Sequence, residues 1–314
     1  MTKSPAFEES RDQPQLHDRP TEFPPRSDLV ASMLSKTRRH GTPIRRVFVQ
    51  LPAAAGLNSR GSVLAKFRSA AHLDALLFIH ALASAKDPYE AVYPASSWAR
   101  ALGLDANTGT DDDDLNTAKT QWSKNVSKLV SFNLIDRKRR GNRARWVLLD
   151  ESGDGTEYQR PKTTQDGHWF VLPEAYWLDE HYRELSLPAK VMLLIALSSK
   201  PHFALPLERV KDWYGISRST AQRGFAELEK AGILTYEQSW RIDPNNPRMW
   251  SEVREYELLD PYAPSAIRDS MRTRRLNRGS PAAPTTTTAA DGSSTTALLT
   301  VTPRRRKKTS KGGE

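Results

Sequence analysis

Between Leu187 and Leu234 the apolar positions fall into three helix-like groups. The first, Ala189–Ser198, holds the run Val191-Met192-Leu193-Leu194-Ile195-Ala196-Leu197, apolar on every side and suited to a buried central helix. The second, Leu207–Trp213, runs into Tyr214-Gly215, and glycine takes the left-handed conformation that ends a helix. The third opens at Ser217, whose hydroxyl can cap free backbone N–H groups. Ala221, Phe225 and Leu228 then recur at spacings of four and three, while Arg218, Ser219, Gln222 and Arg223 fall on the opposite side. Leu234–Ile242 and Trp250–Leu259 read as strands, with the turn formers Asp243-Pro244-Asn245-Asn246-Pro247-Arg248 between them.

The first half carries the same order of patterns. Val47–Pro52 (VFVQLP) predicts a strand, His72–Ser84 an apolar helix, and Ser96–Leu102 a second helix stopped by Gly103. Thr117–Phe132 predicts a third helix with Trp122, Val126 and Leu129 on one side. Leu134-Ile135 and Ala144–Leu149 flank a basic turn containing Gly141-Asn142, which signals a β-hairpin. Phe48–Pro52 aligns with Trp169–Pro173, and Leu77-Phe78 with Leu193-Leu194. Trp122, Val126, Leu129 and Leu134-Ile135 align with Ala221, Phe225, Leu228 and Ile233-Leu234 at one offset of 99 residues. The second helices align at an offset of 112, so the first copy holds an insertion, the acidic stretch ANTGTDDDDLN from Ala106. An internal repeat of roughly 100 residues follows.

These patterns divide the chain into a tail (1–43), a first domain (44–152) with its insertion at 106–118, a linker (153–166), a second domain (167–260) and a basic Thr/Pro-rich tail (261–314). Both tails are expected to be disordered; within the first, Ser27–Arg39 predicts a short helix with Leu29, Val30, Met33 and Leu34 on one face. The fold class expected is mainly α with small β-hairpins (α+β).

Composition adds exclusions. The 314 residues include no cysteine, which rules out disulfides, thiolate metal sites and thiol nucleophiles and fits a reducing cytosol. The N-terminal MTKSPAFEESRDQ has no signal-peptide core, and the seven-residue run Val191–Leu197 is far short of a membrane span, so a soluble cytoplasmic protein without membrane partners is expected. Net charge is +10, of which residues 261–314 carry +8; the middle of the chain is nearly neutral, and contacts to nucleic acid there need local basic patches.

Two helices joined by a glycine turn, the second with short polar and basic side chains near its start, form a helix-turn-helix pattern; three helices followed by a hairpin, occurring twice, resemble tandem winged-helix DNA-binding proteins. The resemblance covers about residues 46–259. STAQRGFAELEKAGIL is similar to segments of bacterial transcriptional regulators and plasmid replication initiators, and the doubled arrangement resembles the initiators. The resemblance implies that the third helix enters the major groove and the hairpin touches the backbone or minor groove. It assigns Ser217, Arg218, Ser219, Thr220, Gln222 and Arg223 to DNA in the second domain, with Arg241 and Arg248 on its hairpin. In the first domain it assigns Lys119, Thr120, Ser123, Lys124 and Lys128, with Arg137, Lys138, Arg139, Arg140, Arg143 and Arg145 on the hairpin. Arginine and glutamine have bidentate reach to base edges, whereas lysines suit phosphates, so copy two is expected to read bases and copy one to grip.

Nothing in the sequence points to catalysis. Asp111–Asp114 lacks a second acidic motif to complete a metal site, and a solvated loop is the plainer reading. The seven histidines (17, 40, 72, 80, 168, 181, 202) show no metal spacing, His80 reads as a core residue, and no phosphate-binding glycine loop is present. Tyr176 and Tyr214 sit among aromatics and read as packing. The expectation is therefore a non-enzymatic reader of double-stranded DNA without cofactor, acting in replication initiation at a plasmid-type origin or in transcriptional regulation. Partners expected are duplex DNA, a second copy or several copies on repeated sites, and replication or transcription machinery, in association with nucleoid or plasmid. A protein-interaction scaffold with a nucleic-acid-binding tail is the alternative from another class.

Overall fold

The computed structural model describes residues 23–37, 39–51, 62–105, 112–141, 143–161 and 168–277. Elements run in chain order as α1 (Arg26–Ser35), β1 (Gly41–Arg45), α2 (Ala70–Leu82), β2 (Glu90–Ala91), α3 (Ala95–Ala101), α4 (Asp112–Ser131), β3 (Ile135–Arg140) and β4 (Arg143–Leu148). The second half continues with β5 (Trp169–Pro173), α5 (Ala175–Leu178), α6 (His181–Glu184), α7 (Leu187–Ser198), β6 (Phe203–Ala204), α8 (Val210–Tyr214), α9 (Arg218–Lys230), β7 (Leu234–Ile242), β8 (Trp250–Leu258) and α10 (Pro264–Asn277). The class is mixed helix and strand with small antiparallel sheets.

The repeat is visible element by element. Helix, short strand, helix, helix and hairpin recur as α2-β2-α3-α4-β3-β4 and α7-β6-α8-α9-β7-β8, with sheet orders β2-β4-β3 and β6-β8-β7. The aligned positions do the same job in both copies: Trp122, Val126, Leu129, Leu134 and Ile135 are buried, as are Ala221, Phe225, Leu228, Ile233 and Leu234. A tryptophan stack fills the first unit, with Trp98 and Trp122 parallel at 4.8 Å. Phe225 stacks on Tyr256 at 4.1 Å in the second.

The two units share one continuous hydrophobic core. Strands β1 and β5, which precede the repeats, pair antiparallel from Gly41↔Pro173 to Arg45↔Trp169. Lys190 on α7 donates to the Asp74 carboxylate on α2 at 2.6 Å and to the Tyr182 carbonyl, and the Tyr176 hydroxyl donates to Asp74 at 2.8 Å. The Ser62 hydroxyl donates to the Tyr214 carbonyl at 2.9 Å, tying the first unit to the α8–α9 turn.

Helix α9 lies close on α7 because Gly224 allows it. A Cβ there would stand 2.4 Å from the Pro188 carbonyl oxygen and 2.5 Å from Met192 Cγ. Alanine gains roughly 1 kcal/mol of helix propensity over glycine, but overpacking against fixed backbone costs about 1–3 kcal/mol or more. Gly224→Ala is therefore expected to lower the urea midpoint; an unchanged or raised midpoint would show that the helices move apart freely.

Several expectations are corrected. The strand expected over Val47–Pro52 does not form in its described part, which ends at Leu51. Arg46–Phe48 is instead a 3-10 turn, because adjacent Phe48 and Val49 both face the core, which strand alternation forbids. The pairing strand is Gly41–Arg45, so Phe48–Pro52 is not the counterpart of Trp169–Pro173. The stretch before residue 44 is not all tail: it holds α1, whose Val30, Met33 and Leu34 are buried and whose Arg26 reaches Asp105 at 3.0 Å. Tyr262 is fully buried and precedes α10, so the C-terminal tail does not begin at 261. The linker starts as packed chain, with Tyr158 buried and Leu149 bridged to Glu157. Asp112–Asp114 are the first residues of α4, a place that acidic residues favour, so the acidic run is no free loop from Asp112 on. The rest of the insertion (106–111), the end of the linker (162–167) and the outer tails (1–22 and 278–314) lie outside the described residues.

Candidate nucleic-acid interface

Helix α9 presents its polar side where the pattern put it. Gly215, at φ +72, ends α8, and the Ser217 hydroxyl accepts the Thr220 backbone N–H at 3.1 Å to cap α9. With Ala221, Gly224, Phe225 and Leu228 held against the core, Arg218, Ser219, Gln222 and Arg223 are exposed on the outer face. Ser217 and Thr220 are partly committed, since their hydroxyls lie 2.8 Å apart within the cap. Arg218 stands 3.8 Å from Glu208, both well exposed, and such a solvent-screened contact leaves the guanidinium available. Two cations missed by the sequence reading join this face: Arg68 from the first unit and Lys211 on α8 line the same cleft as Arg218 and Arg223. Lys211 had a signal, its place on the helix before α9; Arg68 had none, because only tertiary packing brings it there.

The first unit shows a different surface. One stripe of α4 carries Thr120, Ser123, Lys124, Ser127, Lys128 and Ser131, small hydroxyls interleaved with lysine. The Thr120 and Ser127 hydroxyls donate back to the Asn116 and Ser123 carbonyls, and Lys128 lies over the Phe132 ring at 4.8 Å. Lys119 is only half exposed and donates to Asn116 Oδ1 at 3.2 Å, which sets it apart from the stripe. On the hairpin the register sets Arg137 opposite Trp146, Lys138 opposite Arg145, Arg139 opposite Ala144 and Arg140 opposite Arg143, with Gly141 at φ +58 in the turn. Arg137, Lys138, Arg139 and Arg143 are exposed. Arg145 is corrected: it is half-buried and ion-paired with Glu90, so it holds β2 to β4 rather than standing free.

The two hairpins differ in sign. β3–β4 carries six cations against the single carboxylate Asp136, whereas residues 234–258 carry Arg241, Arg248 and Arg254 against five carboxylates. Arg254 is engaged with Glu252, and Arg241 and Arg248 remain exposed at the far end. The structure thus brings Arg218 and Arg223 of α9 together with Arg68 and Lys211 at one cleft, while the α4 stripe and the exposed β3–β4 cations are separate features of the first unit. It leaves Arg241 and Arg248 in acidic surroundings.

Three other residues singled out in the sequence lie in the core. His80 is buried against Tyr158, and burial together with Arg160 and Arg39 pushes its pKa down to about 3, so it is a neutral core residue. Tyr176 and Tyr214 are buried, in line with a packing role. Among the described residues no group of three or more His, Asp or Glu side chains is placed to hold a metal ion, and no helix is long and apolar enough to cross a membrane. Comparison with protein-family models, curated proteins and solved structures returns no match.

Proposed function

We propose that this chain is a tandem winged-helix protein that binds double-stranded DNA at specific sites, and that origin recognition by a plasmid-type replication initiator is its process. The observation that carries the reading is the outer face of α9: Arg218, Gln222 and Arg223 stand exposed along a capped helix whose other side is locked in the core. A helix so held presents bidentate donors and acceptors in a fixed geometry to the edges of base pairs. The α4 stripe and the β3–β4 cations supply a second, sequence-blind grip on phosphates. The shared core and the β1–β5 pairing fix the two units against each other, which suits reading of adjacent major grooves about 34 Å apart. Regulation of transcription uses the same surfaces and is the second reading; direct repeats in the selected sites favour the initiator and a lone palindrome the regulator.

Selection of bound duplexes from a random library tests the proposal, and enrichment of a defined motif is the expected result. Arg223→Ala should then lose about 1–3 kcal/mol at one base position while random DNA binds as before. Neutralising Arg137, Lys138, Arg139 and Arg140 together should weaken all duplexes alike and flatten the salt dependence. Equal effects of both changes on selected and random DNA would overturn the division of labour, and no enrichment would overturn specific reading.

A further inference from the structure

The second unit's sheet has an open edge. In the order β6-β8-β7 the outer side of β7 has no strand neighbour among the described residues. The ladder fixes which backbone groups face outward. Leu259 N donates to the Ile233 carbonyl and Asp243 N to the Met249 carbonyl, so odd-numbered residues of β7 bond to β8. Antiparallel alternation then leaves the N–H and C=O of Tyr236, Gln238, Trp240 and Ile242 on the free edge. Nine residues of strand make this edge about 30 Å long.

Its side chains are unlike those of the matching edge in the first unit. There β3 carries Arg137, Lys138 and Arg139, which repel a second copy of themselves. On β7, Glu237 and Arg241 lie two residues to either side of Ser239. Glu237 also faces Glu255 directly across its own sheet, a like-charge pair that a cation beside it would relieve. At the far end Trp240, Ile242 and Trp250 share one face and are 62%, 66% and 50% exposed, well beyond the helical core.

We propose that β7 is a self-association edge, at which two copies of this chain pair antiparallel about Ser239 into one six-stranded sheet. This register sets Glu237 against Arg241 of the second copy, twice by symmetry, and Gln238 against Trp240 of the second copy. Tyr236 meets Ile242 of the second copy, and the two Trp240 rings come within diagonal reach. The pairing is self-consistent, because outward-facing residues meet outward-facing residues and Ser239 meets itself at a non-hydrogen-bonded position. The twofold makes the contact closed, ending at a dimer. The aromatic tip and net negative charge of this hairpin thereby gain a use that phosphate contact does not give them.

Sedimentation velocity of the full chain from about 1 to 100 µM reads the equilibrium directly, and a concentration-dependent dimer is expected. Glu237→Arg or Arg241→Glu alone should raise the dimer dissociation constant about tenfold or more, since each turns two attractive pairs repulsive. The double exchange should restore it. Both positions are exposed, so unfolding midpoints taken at concentrations where the wild type is monomeric should be unchanged and serve as the folding control. Because the chain has no cysteine, Ser239→Cys gives a single thiol, which should form a covalent dimer on mild oxidation, while Ser127→Cys on α4 should not. A wild type that stays monomeric throughout, or a dimer indifferent to both single reversals, would overturn the proposal.

Discussion

Replacing Lys190 by methionine is expected to cost about 3–5 kcal/mol, because it strands a buried carboxylate. Lys190 is 2% exposed and Asp74 7%, and among the described residues the ammonium is the one cation in contact with that carboxylate. Methionine keeps the length and volume of the lysine stem, so the loss reads the charge rather than a cavity. Among the described residues Asp74 would retain only the Tyr176 hydroxyl, and the Tyr182 carbonyl would lose the Lys190 donor. Against a total stability of about 5–15 kcal/mol for an ordinary domain, the fold would become marginal. Removing both charges, as Lys190→Met with Asp74→Asn, should recover most of the loss, since a buried ion pair itself contributes little net stability. Urea unfolding of the two single variants and the double closes the cycle. A single-variant cost below about 1 kcal/mol would mean that Asp74 finds another partner or water. The pair joins α2 to α7, so the orientation of the two units is also at stake.

That pair was not legible in the sequence, and the reason is physical. Lys190 heads an apolar helix run and Asp74 interrupts another; by pattern each is an exposed break in a buried face. Only tertiary packing, which sets α7 against α2, brings them together. What the sequence did carry was local. The stripe Ala221–Phe225–Leu228, the stop at Gly215, the cap at Ser217 and the aligned stripe in α4 rest on spacing within one helix, and the structure keeps all of them. Gly224, within that stripe, reads by sequence only as helix-weakening, because the space it leaves for Pro188 and Met192 is set by tertiary packing. The strand at Gly41–Arg45 carries little signal in the sequence, because its burial rests on Thr42 and Ile44 alone and it contains Pro43. The apolar VFVQLP beside it was the more strand-like string, and its start folds as a turn. For the interface, the outer face of α9 followed from periodicity, whereas Arg68, the Arg145–Glu90 pair and the open edge of β7 depend on which chain segments meet.

Stability is expected to fall as pH rises from about 4.5 to 7, and much of that fall should vanish in Glu151→Gln. Glu151 is 1% exposed; one oxygen accepts the Arg45 backbone N–H at 3.2 Å and the other has no partner among the described residues. Burial, aided by neighbouring Asp150, pushes its pKa up from 4.5 to about 7, against the opposing pull of the Arg45 N–H and guanidinium. The sign follows from proton counting. Between the two values the folded chain holds a proton that the unfolded chain has released, so raising pH favours unfolding. The contribution is intact below the unfolded value, is lost through this window and is flat above it, for a total of roughly 3 kcal/mol. A neutral glutamine of the same shape removes the cost of ionisation, so the variant should match the wild type near pH 4.5 and exceed it at pH 8 by a similar amount. Urea midpoints at the two pH values check this, and comparing the variant with the wild type cancels the titration of other groups. If the pH dependence of the two proteins is the same, Glu151 is ionised in the fold, and the Asp150–Arg45 pair at 2.8 Å beside it would then be the first place to look for the compensating charge.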